Sequence, residues 1–358
     1  MKKRIIALLL GLSMLLVACI NNNGNGKVEQ ETQESNKETS ETMPESKGSL
    51  KIVTSFFPIY DLAKGIVGDK AEVVNLTKTG SAHGFEPSVQ DMEDIVKSDL
   101  LIVNGAHFES WIDKVKDENL NILTMSDFVD VKKAEDDHDH DHEHKHEDDH
   151  DHDHEHKHED DHDHDHEDDH DHDHEHEHDH DHGGVDPHFW TNPANARKML
   201  KAIKDKIVEI DSENKEFYEK NYEELDKKFD QLASEYDEAL KKYNGKHIVV
   251  PHKAFSYIFD PYNIEQIAMA GINSTDDPNT GRIAEIIKEM KENNIKTVFY
   301  EYGHSDKVAQ TIANEVNGTV KPITTLEVIN EEDINKGETL VSLMKMNIDN
   351  IVEYFEGK

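Results

Sequence analysis

Twenty of the 26 histidines fall between residues 135 and 182, and the six outside that stretch are the ones whose settings can be weighed singly. Three of the six occupy positions that a core histidine does not need. His83 stands in GSAHGFEPS, on a glycine-flanked loop directly before a helix start. His188 stands in VDPHFWTNP, on a turn, and His252 in VVPHKAF, at the carboxyl end of an expected strand. Glu301, in TVFYEYGHS, is likewise expected at a strand end. In open α/β sheets, ligands bind beyond the carboxyl ends of the strands. Three imidazoles and one carboxylate make a borderline donor set that suits Zn²⁺, held tetrahedrally at about 2.0–2.2 Å. His304 follows Glu301 closely enough to take its place and is the alternative fourth ligand. His247 begins an expected strand and reads as structural or exposed.

A catalytic zinc keeps one position open for water and needs a general base. Apart from matches inside the 135–182 stretch, such as HEHKH at 142–146, the chain has no HExxH, and four protein ligands would close the site, which argues against a secreted zinc hydrolase. A single cysteine, Cys19, excludes disulfides and thiolate metal sites from the mature fold.

The 135–182 tract repeats EDDHDHDHEHKH and its shortened copies and carries no apolar residue, so it cannot be core. It reads as a long loop, 135–184, without secondary structure of its own, inserted into a compact lobe. Its alternating histidines supply auxiliary, weak sites for additional Zn²⁺ ions: His138, His140, His142, His150, His152, His154, His162, His164, His170, His172, His174, His180 and His182. The tract also holds 26 Asp or Glu against two Lys, so 24 of the 39 net negative charges belong to it. The remainder of the chain is still acidic, which argues against a nucleic-acid partner, since that affinity comes from cations on phosphate.

The elements that must position these residues alternate in type. KIVTSF (51–56), AEVVNL (71–76) and DLLIV (99–103) read as strands, with helices near 57–67 and 88–98, the second opened by Ser88 and Asp91 in a capping-box pattern. After the tract, strands at 247–251, 264–268, 297–301 and 318–323 alternate with helices at 279–294, 305–316 and 337–356. Such alternation implies α/β architecture with parallel sheets covered on both faces, in two lobes. Between them, Tyr218, Tyr222, Leu225, Phe229, Leu232, Tyr236, Ala239 and Tyr243 recur at spacings of three and four, predicting one helix over 213–243, about 46 Å long. The stripe also has coiled-coil period, so a dimer seam is the competing reading of it.

The N-terminus reads as a secretory signal over 1–18: Lys2, Lys3 and Arg4, then an apolar run from Ile5 to Val17. LVAC at 16–19 resembles a bacterial lipobox with Cys19 as the lipidated residue, and 20–49 reads as a polar tether.

KIVTSFFPIYDLAKGI, HGFEPS, NG(x)₃E(x)W at Asn104 to Trp111, DPHFW, VVPHKAFSYIF and FYEYGHSDKVAQTIA together carry a resemblance over roughly 50–358. The chain resembles the metal-specific (cluster A-I) solute-binding lipoproteins of bacterial ABC importers, zinc-type with a His-rich loop. The resemblance implies two four-stranded parallel lobes joined by one long rigid helix, with a metal in the cleft between them. His83 and His188 would come from the first lobe, and His252 and Glu301 from the second, with His107 on the cleft rim. The implied domains are an N-terminal lobe over 50–190, a helical linker over 191–245 and a C-terminal lobe over 246–358. The implied partner is a membrane permease, and the implied protein is a monomer, lipid-anchored on the extracellular face of the plasma membrane. Manganese members pair two carboxylates with two histidines, so a His₃Glu set points to zinc over manganese or nickel. Family members also attract the label of surface adhesin. Two departures stand out: TNP follows DPHFW where zinc members read LDP, and FDPYNIEQ follows His252 where a YGL-type turn is common; the fourth ligand position also varies within the family.

Overall fold

The computed structural model describes residues 49–78, 81–115, 119–134, 184–272 and 277–357. The expected signal, Cys19, the tether up to residue 48 and the His-rich tract lie outside the described residues.

Alternation of short apolar runs with amphipathic segments builds the first lobe from β1 (Leu50–Thr54), α1 (Phe57–Val67), β2 (Ala71–Asn75), α2 (Val89–Val96), β3 (Leu100–Val103) and β4 (Ile122–Thr124). The strands are parallel in the order β2-β1-β3-β4. Helix α1 turns Phe57, Ile59, Leu62, Ala63, Ile66 and Val67 into the core, with Pro58 in its first turn where a missing N–H costs nothing. At the start of α2 the expected capping box is present: Asp91 N–H donates to Ser88 Oγ at 3.2 Å, and Ser88 N–H donates to Asp91 Oδ2 at 2.9 Å. A two-residue antiparallel ladder follows, β5 (Lys132–Lys133) with β6 (Val185–Asp186), and Ala134 N–H donates to Gly184 O at 2.8 Å. The described residues on either side of the tract are thereby bonded to each other, and β6 ends two residues before His188.

Two helices follow, α3 (Pro193–Ile210), capped by Asn192, and α4 (Lys215–Leu240). The second lobe comprises β7 (His247–His252), α5 (Ser256–Phe259), β8 (Glu265–Ala270), α6 (Thr280–Glu292), β9 (Thr297–Glu301), α7 (Lys307–Glu315), β10 (Thr319–Ile323), α8 (Glu331–Lys336) and α9 (Leu340–Phe355). Its strands are again parallel, in the order β10-β9-β7-β8.

The long helix predicted over 213–243 is α4, flanked by 3₁₀ turns at Ser212–Asn214 and Lys241–Tyr243. Its stripe is consumed inside the chain. Tyr218, Phe229, Leu232 and Tyr236 are buried in one apolar cluster that also holds Ile52 and Phe56 of the first lobe and Ile248, Phe299 and Leu343 of the second. Helix α4 touches α1, α3 and α9, and Tyr236 OH donates to Met344 O at 2.7 Å. The dimer-seam reading of the stripe is thereby set aside, because the same residues are spent on the core. Among the described residues, no helix is long and apolar enough to cross a membrane.

Candidate metal centre

Four side chains converge beyond the carboxyl ends of the strands. His83 lies in the loop between β2 and α2, His188 just after β6, His252 at the last position of β7, and Glu327 four residues past β10. Each offers one donor atom, and the four atoms lie within 4.8 Å of one another. His83 Nε2 stands 3.0 Å from His188 Nε2, and His252 Nε2 stands 3.4 Å from it. Glu327 Oε1 is 3.4 Å from His83 Nε2, 3.5 Å from His252 Nε2 and 3.8 Å from His188 Nε2. A tetrahedron with bonds of about 2.0–2.1 Å has edges of about 3.3–3.4 Å. The observed separations cluster around that edge length, so a single ion at the centre would reach all four donors.

The proton positions suit a cation as well. His188 Nδ1 lies 2.9 Å from Asp186 Oδ1, which also accepts the His188 backbone N–H at 3.0 Å. The carboxylate fixes the proton on Nδ1 and leaves the Nε2 lone pair facing the other donors, the usual arrangement behind a metal-bound imidazole. Asp186 is itself held, since Tyr257 OH donates to its carbonyl at 2.7 Å. Burial pushes His188 down to about 4, with His252 and His83 adding to the effect and Asp186 opposing it, so the ring is neutral at physiological pH. For Glu327, burial alone would raise the pKa. His83 and His252 outweigh it and hold the carboxyl well below the usual range. A carboxylate kept ionised while 5 % exposed is a cation's partner.

The loop bearing Glu327 is pinned at every residue. Thr324 N–H donates to Asn347 Oδ1 at 2.9 Å, and Asn347 Nδ2 donates to Thr324 O at 2.7 Å. Trp190 Nε1 donates to Thr325 O at 2.8 Å, and Leu326 N–H donates to Thr324 Oγ1 at 2.9 Å. Leu326 is fully buried with φ +68°, a left-handed conformation that a leucine adopts only under constraint.

The structure brings His83, His188 and His252 together, as expected, but not Glu301. The Glu301 carboxylate is turned to the backbone: Oε1 accepts from Thr325 N–H at 2.9 Å and from Thr325 Oγ1 at 3.3 Å. Burial raises it to about 7, partly offset by His252 and by the Thr325 N–H. His304 is exposed and outside the group, its N–H donating to Glu301 O at 3.1 Å. His107 has φ +60° on the loop after β3, and His247 Nδ1 stands 3.0 Å from Glu265 Oε2; neither belongs to the group. The fourth donor of the fold, Glu327, escapes the strand-end argument because β9 ends on Glu301 itself, whereas β10 ends on Ile323. One signal for it was present: a lone acid inside the apolar run TTLEVI, where a buried charge requires a partner.

Two parallel α/β lobes joined through a long helix, with three imidazoles and a carboxylate converging between their strand ends, define a metal-binding protein of the two-lobed solute-capture class. The family model described as "Zinc-uptake complex component A periplasmic" matches residues 52–354, and the chain belongs to that family. The family is a component of a zinc-uptake complex, a substrate-binding part of a transporter and not an enzyme. The chain is 31% identical over 342 residues to the high-affinity zinc uptake system protein ZnuA of Bacillus subtilis, covering 94% of this chain and 92% of that protein. It is 28% identical over 310 residues to the zinc-binding lipoprotein AdcA of Streptococcus pneumoniae, covering 84% of this chain and 55% of AdcA, so it spans just over half of that relative. Among solved structures, the metal-dependent lipoprotein YcdH of B. subtilis matches with a TM-score of 0.66 at 27% identity, covering 85% of this chain and 99% of that one. The Zn(II)-bound ZnuA-like domain of S. pneumoniae AdcA matches with a TM-score of 0.65 at 25% identity, covering 86% and 99%.

Proposed function

We propose that this protein captures one Zn²⁺ ion through His83, His188, His252 and Glu327 and delivers it to the membrane permease of an ABC importer. The observation that carries the reading is the near-tetrahedral spacing of the four donor atoms, 3.0–3.8 Å across the five measured edges. Three imidazoles with one carboxylate favour zinc over manganese, which prefers harder oxygen sets. The cargo is held by donors from both lobes, so release requires the lobes' donors to part, and docking on a permease supplies the occasion. The chain acts as a monomer outside the cell, anchored to the membrane through lipidated Cys19. The His-rich tract gathers additional zinc ions weakly near the point where it joins the fold.

The test is a zinc titration of metal-free protein with and without residues 135–182. Deletion should lower the stoichiometry towards one and leave the tightest affinity within a few-fold. Loss of the tightest site on deletion would place capture in the tract instead. A deleted protein whose melting temperature ignores zinc would sink the cleft assignment.

A further inference from the structure

We propose that Glu301 is a positioning residue: it fixes the Thr324–Glu327 loop from behind, so that the Glu327 carboxylate reaches the three imidazoles. The inference rests on the zinc-capture reading above and adds to it a residue that does not touch the metal. Glu301 closes β9, and β10 runs parallel beside it with Ile323 opposite Glu301. The chain leaving β10 must turn within four residues to bring Glu327 to the site. Thr325 sits at the midpoint of that turn and is 3% exposed. Its N–H and hydroxyl both donate to Glu301 Oε1, at 2.9 and 3.3 Å, while its carbonyl accepts from Trp190 Nε1 at 2.8 Å. The Thr325 backbone is thus gripped from both sides, by the second lobe through Glu301 and by the first through Trp190, which lies two residues after His188.

The next residue shows why a grip is needed. Leu326 is held at φ +68° with its side chain fully buried, and such a conformation persists only where the surroundings over-determine it. Without the Glu301 acceptor, Thr325 N–H would be a buried donor with no partner, and the loop would turn to satisfy it. Leu326 would then relax towards negative φ, carrying Glu327 away from the imidazoles. What the position demands is therefore an acceptor at glutamate's reach. Negative charge is not the requirement.

That demand separates two substitutions of the full-length chain. E301Q keeps an acceptor oxygen at the same reach and gives up the charge. E301D keeps the charge but is one methylene too short. Zinc affinity of the tightest site, measured by competition with a chromogenic chelator, should stay within about threefold of wild type in E301Q. It should fall about ten- to a hundredfold in E301D, the range seen when a group supporting a metal ligand is removed. In the E327Q background, E301D should add no more than about twofold, because its effect runs through Glu327. The proposal is overturned if E301Q weakens binding as much as E301D does, or if E301D and E327Q multiply. Either result would make Glu301 act on the metal directly. Melting of the metal-free variants separates misfolding from a displaced loop, and the E301Q arm stands by itself if E301D does not fold. Failure of wild-type protein to hold zinc in competition, or an E327Q protein as tight as wild type, would instead count against the capture reading.

Discussion

Glu301, outside the donor group, and His188, within it, are pushed in opposite directions by the same cause. Burial holds His188 at about 4, while an unfolded histidine titrates near 6.5. Between those values the unfolded chain binds a proton that the fold refuses. The contribution of His188 is thus intact above 6.5 and is lost as pH falls towards 4. Burial raises Glu301 to about 7, against 4.5 for the free side chain. Here the fold retains a proton that the unfolded chain releases, so the contribution is intact below 4.5 and is lost as pH rises towards 7. Each swing amounts to a few kcal/mol, and over the shared window the two oppose each other. Substitution isolates one of them. Metal-free E301Q should melt progressively higher relative to metal-free wild type as pH goes from 4.5 to 7, with a constant difference below 4.5. A difference that stays flat across that range in scanning calorimetry would show that the Glu301 carboxyl is not held up by the fold. At this scale the strand-end and turn argument picks out His83, His188 and His252, which the fold brings together, and also Glu301, which ends β9 but is bonded to Thr325 instead. Glu327 was hidden because its position is set by a loop whose hydrogen bonds to Asn347, Trp190 and Glu301 join residues far apart in sequence.

Among the elements, those with a long apolar pattern were readable in advance and those created by a distant partner were not. The capping box of α2 and the stripe of α4 announce themselves in the local sequence. Strand β4 is three residues long, and the β5–β6 ladder pairs two residues with two across the tract, so neither leaves a period to read. Helix α4 also shows what a readable pattern leaves open, since its spacing fits a dimer seam as well as an internal spine. Burial decides the matter: Leu232 is 3% exposed and lies in the cluster shared by both lobes. Leu232→Ala should therefore cost about 2–5 kcal/mol, as expected for a leucine truncated in a core. Both lobes should melt earlier in one transition, because the cluster belongs to both. Two separate thermal transitions in the variant, or a loss that depends on protein concentration, would point to independent lobes or to a dimer.

The whole molecule places two of its four donors on each side of the cleft, His83 and His188 from the first lobe and His252 and Glu327 from the second. Among the described residues each lobe contributes two of the four donors, so a bound ion acts as a clamp whose grip is measured on both lobes at once. Zinc at a hundredfold over Kd should stabilise the fold by about 2.7 kcal/mol, and a chelator should reverse it. The more telling readout is where the stabilisation falls. Hydrogen exchange should slow on zinc binding in four segments together: the loop at His83, the turn at Phe189–Thr191, the chain after His252 and the Thr324–Leu326 loop. Protection confined to one lobe would mean that the ion is not shared between them. Glu327→Gln sharpens the test, because three imidazoles still bridge the lobes when the carboxylate is gone. Zinc should then bind more weakly but continue to protect the three histidine segments, while protection of Thr324–Leu326 is lost. If zinc still slows exchange in that loop in the variant, its added protection does not run through a Glu327–metal bond. The hydrogen bonds to Asn347, Trp190 and Glu301 hold the loop before any metal arrives, so what the Glu327–metal bond adds is the further slowing that the bound ion supplies.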